Sequence, residues 1–170
     1  LYAATFYVDR GHGSASDANT GAENAPWLTI QHGVAQLQAG DTLYIKDGVY
    51  NELVRVSSSG TAGQPITIAA HQRRGVTIDG SGLQVPAYRG LVEIHGQRYI
   101  RFSGFRVINS GPTGTSSGIQ VEDSRHIEIH DNYTYNTASS GIIVWDGSDI
   151  TIDTNEVEQA LSGGADDGQT

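Results

Sequence analysis

The 170-residue chain contains no cysteine and no methionine, and Lys46 is its single lysine. Without cysteine there is no disulfide, no thiolate metal site and no cysteine nucleophile, and the redox compartment leaves no mark. Positive charge is scarce: lysine plus arginine total 10 against 19 acidic residues, a formal net charge of −9. That balance argues against the basic footprint of a nucleic-acid-binding domain. No stretch approaches the roughly 20 apolar residues of a membrane span. Leucine is sparse at 8 residues, whereas isoleucine and valine together number 27 and serine and threonine 29. Stiff β-branched side chains suit pleated, half-buried strands. The 22 glycines follow no three-residue period, which excludes collagen and leaves turns as their use. The length suits one domain with a real core. The chain opens at Leu1 and reads as processed or excised, so no complete signal peptide is available to read.

Internal repeats decide the fold. Gly141-Ile142-Ile143-Val144, Asp149-Ile150-Thr151-Ile152 and Asn155-Glu156-Val157 repeat Gly118-Ile119-Gln120-Val121, His126-Ile127-Glu128-Ile129 and Asn132-Tyr133-Thr134, every element displaced by the step that separates Asn132 from Asn155. Earlier copies are Leu91–Ile94 with Tyr99–Phe102 and Phe105–Val107, then Ile66–Ile68 with Val76–Ile78, and Leu43–Ile45 with Val54–Val56. The copies follow one another at about 22 to 27 residues, a period typical of solenoids. Each is two or three short alternating strands between Gly, Ser, Asn and Asp turns, and none could bury its apolar side alone. Stacked, they predict an all-β parallel solenoid. The expected inward columns are Leu43, Ile66, Val92, Ile119 and Ile142; Val54, Val76, Ile100, Ile127 and Ile150; and Phe105, Asn132 and Asn155. Stacked asparagines can hydrogen-bond along such a ladder. A leucine-rich repeat would need a leucine pattern that is missing, and a propeller needs longer blades.

The first part differs. Thr5–Val8 reads as a strand and 9–24 as a polar loop. Ile30, Val34 and Leu37 recur at helical spacing between Pro26 and Gly40, which predicts a short helix capping the solenoid. The expected layout is one domain, with a cap over 1–42 and about five coils over 43–170. The last copies run without a cap into Ser162–Thr170, so the natural protein is expected to continue.

Two outward columns carry the sharpest polar candidates. Glu93 and Gln120 align with Ile143, and His95 and Glu122 align with Trp145. An exposed tryptophan beside carboxylates can stack on a sugar ring, which makes Glu93, His95, Gln120, Glu122 and Trp145 candidate substrate-binding residues. A carboxylate pair such as Glu93 and Glu122 also admits acid–base chemistry. Alternatively, Trp145 covers the edge of the next coil. His126, Glu128 and His130 share the outer face of one strand and offer a metal-type set. Asp149, Asp153 and Arg101 fall beside them on neighbouring rungs, so a ladder of cross-rung ion pairs is the simpler reading. Asn132-Tyr133-Thr134 is a glycosylation sequon, but its inward asparagine is expected to carry no glycan.

Several segments together resemble a known family: Phe6-Tyr7-Val8, Ala25–Gln31, Ala39–Ile45, Asp47-Gly48-Val49-Tyr50, Ser59–Ile68 and Val76–Gly80. They are similar to the opening of right-handed parallel β-helix proteins of the polysaccharide-lyase type, nearest to pectate lyases of polysaccharide lyase family 9. The resemblance implies a secreted protein acting on an acidic polysaccharide by β-elimination, and a monomer is expected. It implies Ca²⁺ bound by carboxylates and a lysine or arginine base. A cation on the uronate carboxyl group would stabilise the enolate-like transition state while a base takes the α proton. Asp166-Asp167-Gly168 resembles the paired-aspartate stretch that holds calcium in that family, so Asp166 and Asp167 are the expected metal ligands; hard carboxylate oxygens suit Ca²⁺. Lys46 sits at a strand end near the cap and is not the expected base. A non-catalytic carbohydrate-binding or cell-surface module, or a hydrolase or epimerase on the same solenoid, are the alternatives.

Overall fold

A computed structural model describes residues 3–111 and 114–160 of the chain. Fifteen strands and one helix occupy them. The strands are β1 (Thr5–Val8), β2 (Thr42–Ile45), β3 (Gly48–Tyr50), β4 (Val54–Val56), β5 (Ile66–Ala70), β6 (Val76–Asp79), β7 (Gly90–His95), β8 (Arg98–Ser103), β9 (Phe105–Ile108), β10 (Ser117–Glu122), β11 (Arg125–His130), β12 (Tyr133–Tyr135), β13 (Ile142–Trp145), β14 (Ser148–Asp153) and β15 (Glu156–Glu158). The helix is α1 (Ile30–Gln36).

All strand pairs are parallel, and the strands form three sheets visited in turn as the chain winds into a solenoid. Sheet one runs β1-β2-β5-β8-β11-β14, sheet two β3-β6-β9-β12-β15 and sheet three β4-β7-β10-β13. After β1 come four full turns and two strands of a further one. The interior is built from fully buried Ile, Val, Leu and Phe side chains, with Phe102 and Phe105 stacked at 4.3 Å.

The corners repeat as regularly as the strands. Gly96, Asp123 and Asp146; Tyr99, His126 and Asp149; Gly104, Asp131 and Thr154; and Asn109, Asn136 and Gln159 all have φ between 49° and 85°. All four sets advance along the chain by the same two steps. A left-handed residue at four fixed places per turn bends the chain without breaking the ladders. Glycine, asparagine and aspartate fill most of these places because they tolerate that conformation best.

The inward columns of the later coils stand as expected. Val92, Ile119 and Ile142 are in register, and so are Ile100, Ile127 and Ile150. The two earliest coils depart from the expected columns. Val54 joins the column of Val92, Ile66 that of Ile100, and Val76 that of Phe105; Leu43 pairs with Ile68, which pairs in turn with Phe102. The near-constant repeat interval fails there. Residues 80–89 lie between β6 and β7, so the sheet-three partners Val54 and Val92 stand much further apart in the chain than Ile119 and Ile142. In the third column, buried Asn132 accepts from the Phe105 N–H at 3.0 Å, and Asn155 Oδ1 accepts from both Asn132 N and Nδ2.

The predicted helix is present, packed on β4, β1 and β2. Thr29 is its N-cap and accepts from His32 N. Asp17 takes the N–H groups of Leu28 and Thr29, and Glu52 those of Ile30 and Gln31. Burial drives both carboxyls upward. In Asp17 the hydrogen bonds from Thr29 and Leu28 outweigh it and the group ends below the usual range; in Glu52 burial prevails. Gly33 lets the helix approach the first rungs, since a Cβ there would lie 2.9 Å from both Leu43 and Val8.

Tyr50 anchors the first turn. It is 1 % exposed, and its hydroxyl donates to the Lys46 carbonyl at 2.9 Å. Burial pushes its phenol from 10.0 to about 12. A raised folded value stabilises the protein fully below pH 10 and loses that contribution as pH climbs through 12. Unfolding free energy should therefore fall by about 2–3 kcal/mol across that window. Urea titrations at stepped pH check this, and Tyr50→Phe should flatten the fall.

Candidate functional site

In sheets one and two, outward side chains alternate with buried ones, as in β8 and β11. β7 and β10 break this rule: five consecutive residues are buried in each, so their outer face is covered too. The residues responsible are the outward columns of sheet three. Arg55, Glu93, Gln120 and Ile143 are in register, as are His95, Glu122 and Trp145.

An ion network runs across these columns. Arg89 Nη1 lies 2.8 Å from Glu93 Oε1 and 2.8 Å from Glu122 Oε2, bridging the two carboxylates. Arg55 Nε meets Glu93 Oε2 at 2.7 Å, and its Nη1 donates to the carbonyls of Val54, Gly90 and Leu91. Burial lowers the Arg55 guanidinium below its ordinary value, opposed by Glu93 and reinforced by Arg89. Glu122 Oε2 also faces His95 Nδ1 at 3.3 Å and accepts from Gln120 Nε2 at 3.1 Å. Gln120 is 1 % exposed, and its Oε1 is buried with no hydrogen-bond partner.

The network adjoins a groove of about 600 Å³. Its walls include Tyr88 and Thr115 from the loops before β7 and β10, Ser117 and Gln120 of β10, and Ile143 and Trp145 of β13. Tyr88 and Trp145 are 62 % and 41 % exposed. The volume falls within the range of small-molecule sites.

Glu93, His95, Gln120, Glu122 and Trp145 thus lie on one face, with Gln120 and Trp145 in the groove wall and the other three in the adjoining network. Sequence reasoning does not place Arg55, Arg89 and Tyr88 in this site. Arg55 sits one rung before Glu93 and follows once β4 is assigned to sheet three; Arg89 and Tyr88 lie on a loop where periodicity gives no signal.

Ligand atoms of Glu93, His95 and Glu122 lie within 4.8 Å of one another. The trio does not fit calcium. The Arg89 guanidinium already takes the place between the carboxylates, and one ligand is a nitrogen where Ca²⁺ wants six to eight oxygens. Asp166 and Asp167 lie outside the described residues. Lys46 is elsewhere, paired with Glu23 at 2.8 Å beside His71 and Tyr7.

On sheet one the cross-rung pairs are present in part. Arg101 meets Glu128 at 3.0 Å and His126 meets Asp149 at 3.5 Å. His130 turns to Asp131 at 3.4 Å instead of Asp153. His126 has φ of 55° and stacks on Tyr99 at 4.4 Å, and it still lines one shallow pocket with Glu128, on the outer face expected of both.

Known proteins share this architecture. The Pel9A-like right-handed β-helix region matches residues 7–164. A pectate lyase, PEL9, of Emericella nidulans is 34% identical over 126 residues, covering 67% of this chain and 30% of its own length. At the level of fold alone, a GH136 lacto-N-biosidase from Eubacterium ramulus superposes with a TM-score of 0.74 at 17% identity, over 91% of this chain and 34% of the other. Pectate lyase Pel9A superposes with a TM-score of 0.69 at 20% identity, over 89% and 38%. The chain spans less than a third of the length of the curated relatives it matches. With the repeats, the three parallel sheets and a match over nearly its whole length, this chain belongs to the Pel9A-like right-handed β-helix family.

Proposed function

We propose that this protein is a secreted polysaccharide lyase of the pectate type, cleaving an acidic polysaccharide by calcium-assisted β-elimination. The observation that carries the reading is the 34% identity to a pectate lyase across two-thirds of the chain. The groove beside sheet three, with an exposed tryptophan and tyrosine, is suited to sugar rings. Calcium is assigned to Asp166 and Asp167, and no described residue is assigned as the base. The full protein should release unsaturated uronate, followed by its ultraviolet absorbance, from at least one of a panel of polyuronates. The rise should vanish with chelator and return with Ca²⁺. No product from any polymer would remove the lyase reading.

One observation favours a second reading, a non-catalytic carbohydrate-binding module. Glu93 and Glu122 are both tied to Arg89, so neither stands free as a general acid or base. Binding of polymer without product would select it.

A further inference from the structure

We infer that the groove between Tyr88 and Trp145 is a subsite for an uncharged pyranose unit of the polymer, not for a uronate. The inference rests on the carbohydrate-active reading above and names what this face accepts.

Three observations converge. First, no described residue lining the groove carries a charge. Its walls include the apolar surfaces of Tyr88, Ile143 and Trp145 and the polar groups of Ser117, Gln120 and Ser139. Among the described residues of the groove wall a uronate carboxylate would lose its hydration and meet no cation in return. Second, the neighbouring charges are already balanced. Arg55 and Arg89 are held by Glu93 and Glu122, at 2.7 and 2.8 Å, so an incoming carboxylate would have to compete with two buried or half-buried glutamates. Third, Gln120 presents a buried acceptor without a donor. Its Nε2 is committed to Glu122, which fixes the amide orientation and leaves Oε1 as the free atom. A buried acceptor of this kind is satisfied by a donor that arrives with a ligand, and a sugar hydroxyl is a neutral donor. Exposed aromatic faces complete the site, since the C–H face of a pyranose packs on tryptophan and tyrosine.

The test uses the full protein and two sets of probes: neutral oligosaccharides (xylohexaose and β-1,4-galactan oligosaccharides) and oligogalacturonates with and without Ca²⁺. Trp145 is 41 % exposed in the groove wall, so the part of any ligand-induced fluorescence change that Trp145→Phe abolishes reports on this site. A neutral probe should give a saturable shift. By calorimetry, Trp145→Ala and Gln120→Leu should each weaken that binding about tenfold or more. Gln120→Leu removes the unsatisfied acceptor but also the Nε2 bond to Glu122, so its melting temperature is read beside its binding. Trp145→Ala, at an exposed site, keeps the test valid if the leucine variant folds poorly. Binding of oligogalacturonate alone, or neutral binding untouched by both substitutions, would overturn the inference. The two readings fail separately. Unsaturated product without neutral binding sinks the subsite and keeps the lyase. Neutral binding without product from any polyuronate keeps the subsite and sinks the lyase.

Discussion

Asn132→Ala is expected to destabilise the protein by about 3–4 kcal/mol, the largest loss predicted for any single polar side chain here. Asn132 is 0 % exposed and its amide is used at both ends. Oδ1 accepts from the Phe105 N–H at 3.0 Å; Nδ2 donates to the Phe102 carbonyl at 3.2 Å and to Asn155 Oδ1 at 3.1 Å. Truncation strands a backbone donor and a backbone acceptor at a corner where water cannot enter, and each such group costs about 1–3 kcal/mol. A cavity adds to the loss. Asn155→Ala should cost less, since Asn155 is only partly buried and supports the ladder from the last described rung. Urea unfolding of both variants, with unchanged slope, checks the order. A loss below about 1 kcal/mol for Asn132→Ala would mean the ladder is dispensable. The same burial predicts that the sequon stays unmodified when the protein is secreted from a eukaryotic host, which intact mass reads directly.

The repeat was legible because a solenoid writes its geometry into the sequence. Ile119 and Ile142, or Ile127 and Ile150, recur at one fixed interval because they stack one rung apart. The asparagine ladder was legible for the same reason. Two things were not. The early coils carry longer connections, so a fixed interval groups Val54 with Val76 when Val54 in fact stacks on Val92. A left-handed residue, His126, stands inside β11 without breaking the alternation, and tyrosine or histidine at such a place gives no warning of it, unlike the glycine and aspartate at other corners. The candidate site shows the same division. Glu93, Gln120, Glu122 and Trp145 follow from register alone. Arg89 does not, because a loop residue reaches the network by tertiary placement that no local pattern records.

The arginine that register does explain carries the second large effect. Arg55→Met should cost about 2–3 kcal/mol, at or just below the low end of the range for breaking a buried pair, because the Arg55 side chain is 31 % exposed while that of Glu93 is 9 %. Glu93 takes its closest contact from Arg55. Methionine keeps most of the side-chain volume but withdraws the charge, so Glu93 must rely on Arg89 alone. The change also removes the donor shared by the carbonyls of Gly90 and Leu91, which ties β4 to β7 where the inserted loop ends. Removing both charges is a different matter. Arg55→Met combined with Glu93→Met leaves Arg89 paired with Glu122, which it already contacts at 2.8 Å. The double variant should therefore recover much of the loss, because the desolvation of both ions is relieved together. Denaturation of the two single variants and the double variant gives the coupling directly. A double variant whose loss equals or exceeds the sum of the single losses would show that the pair stabilises nothing by itself, and that the arginine acts through the carbonyls it holds.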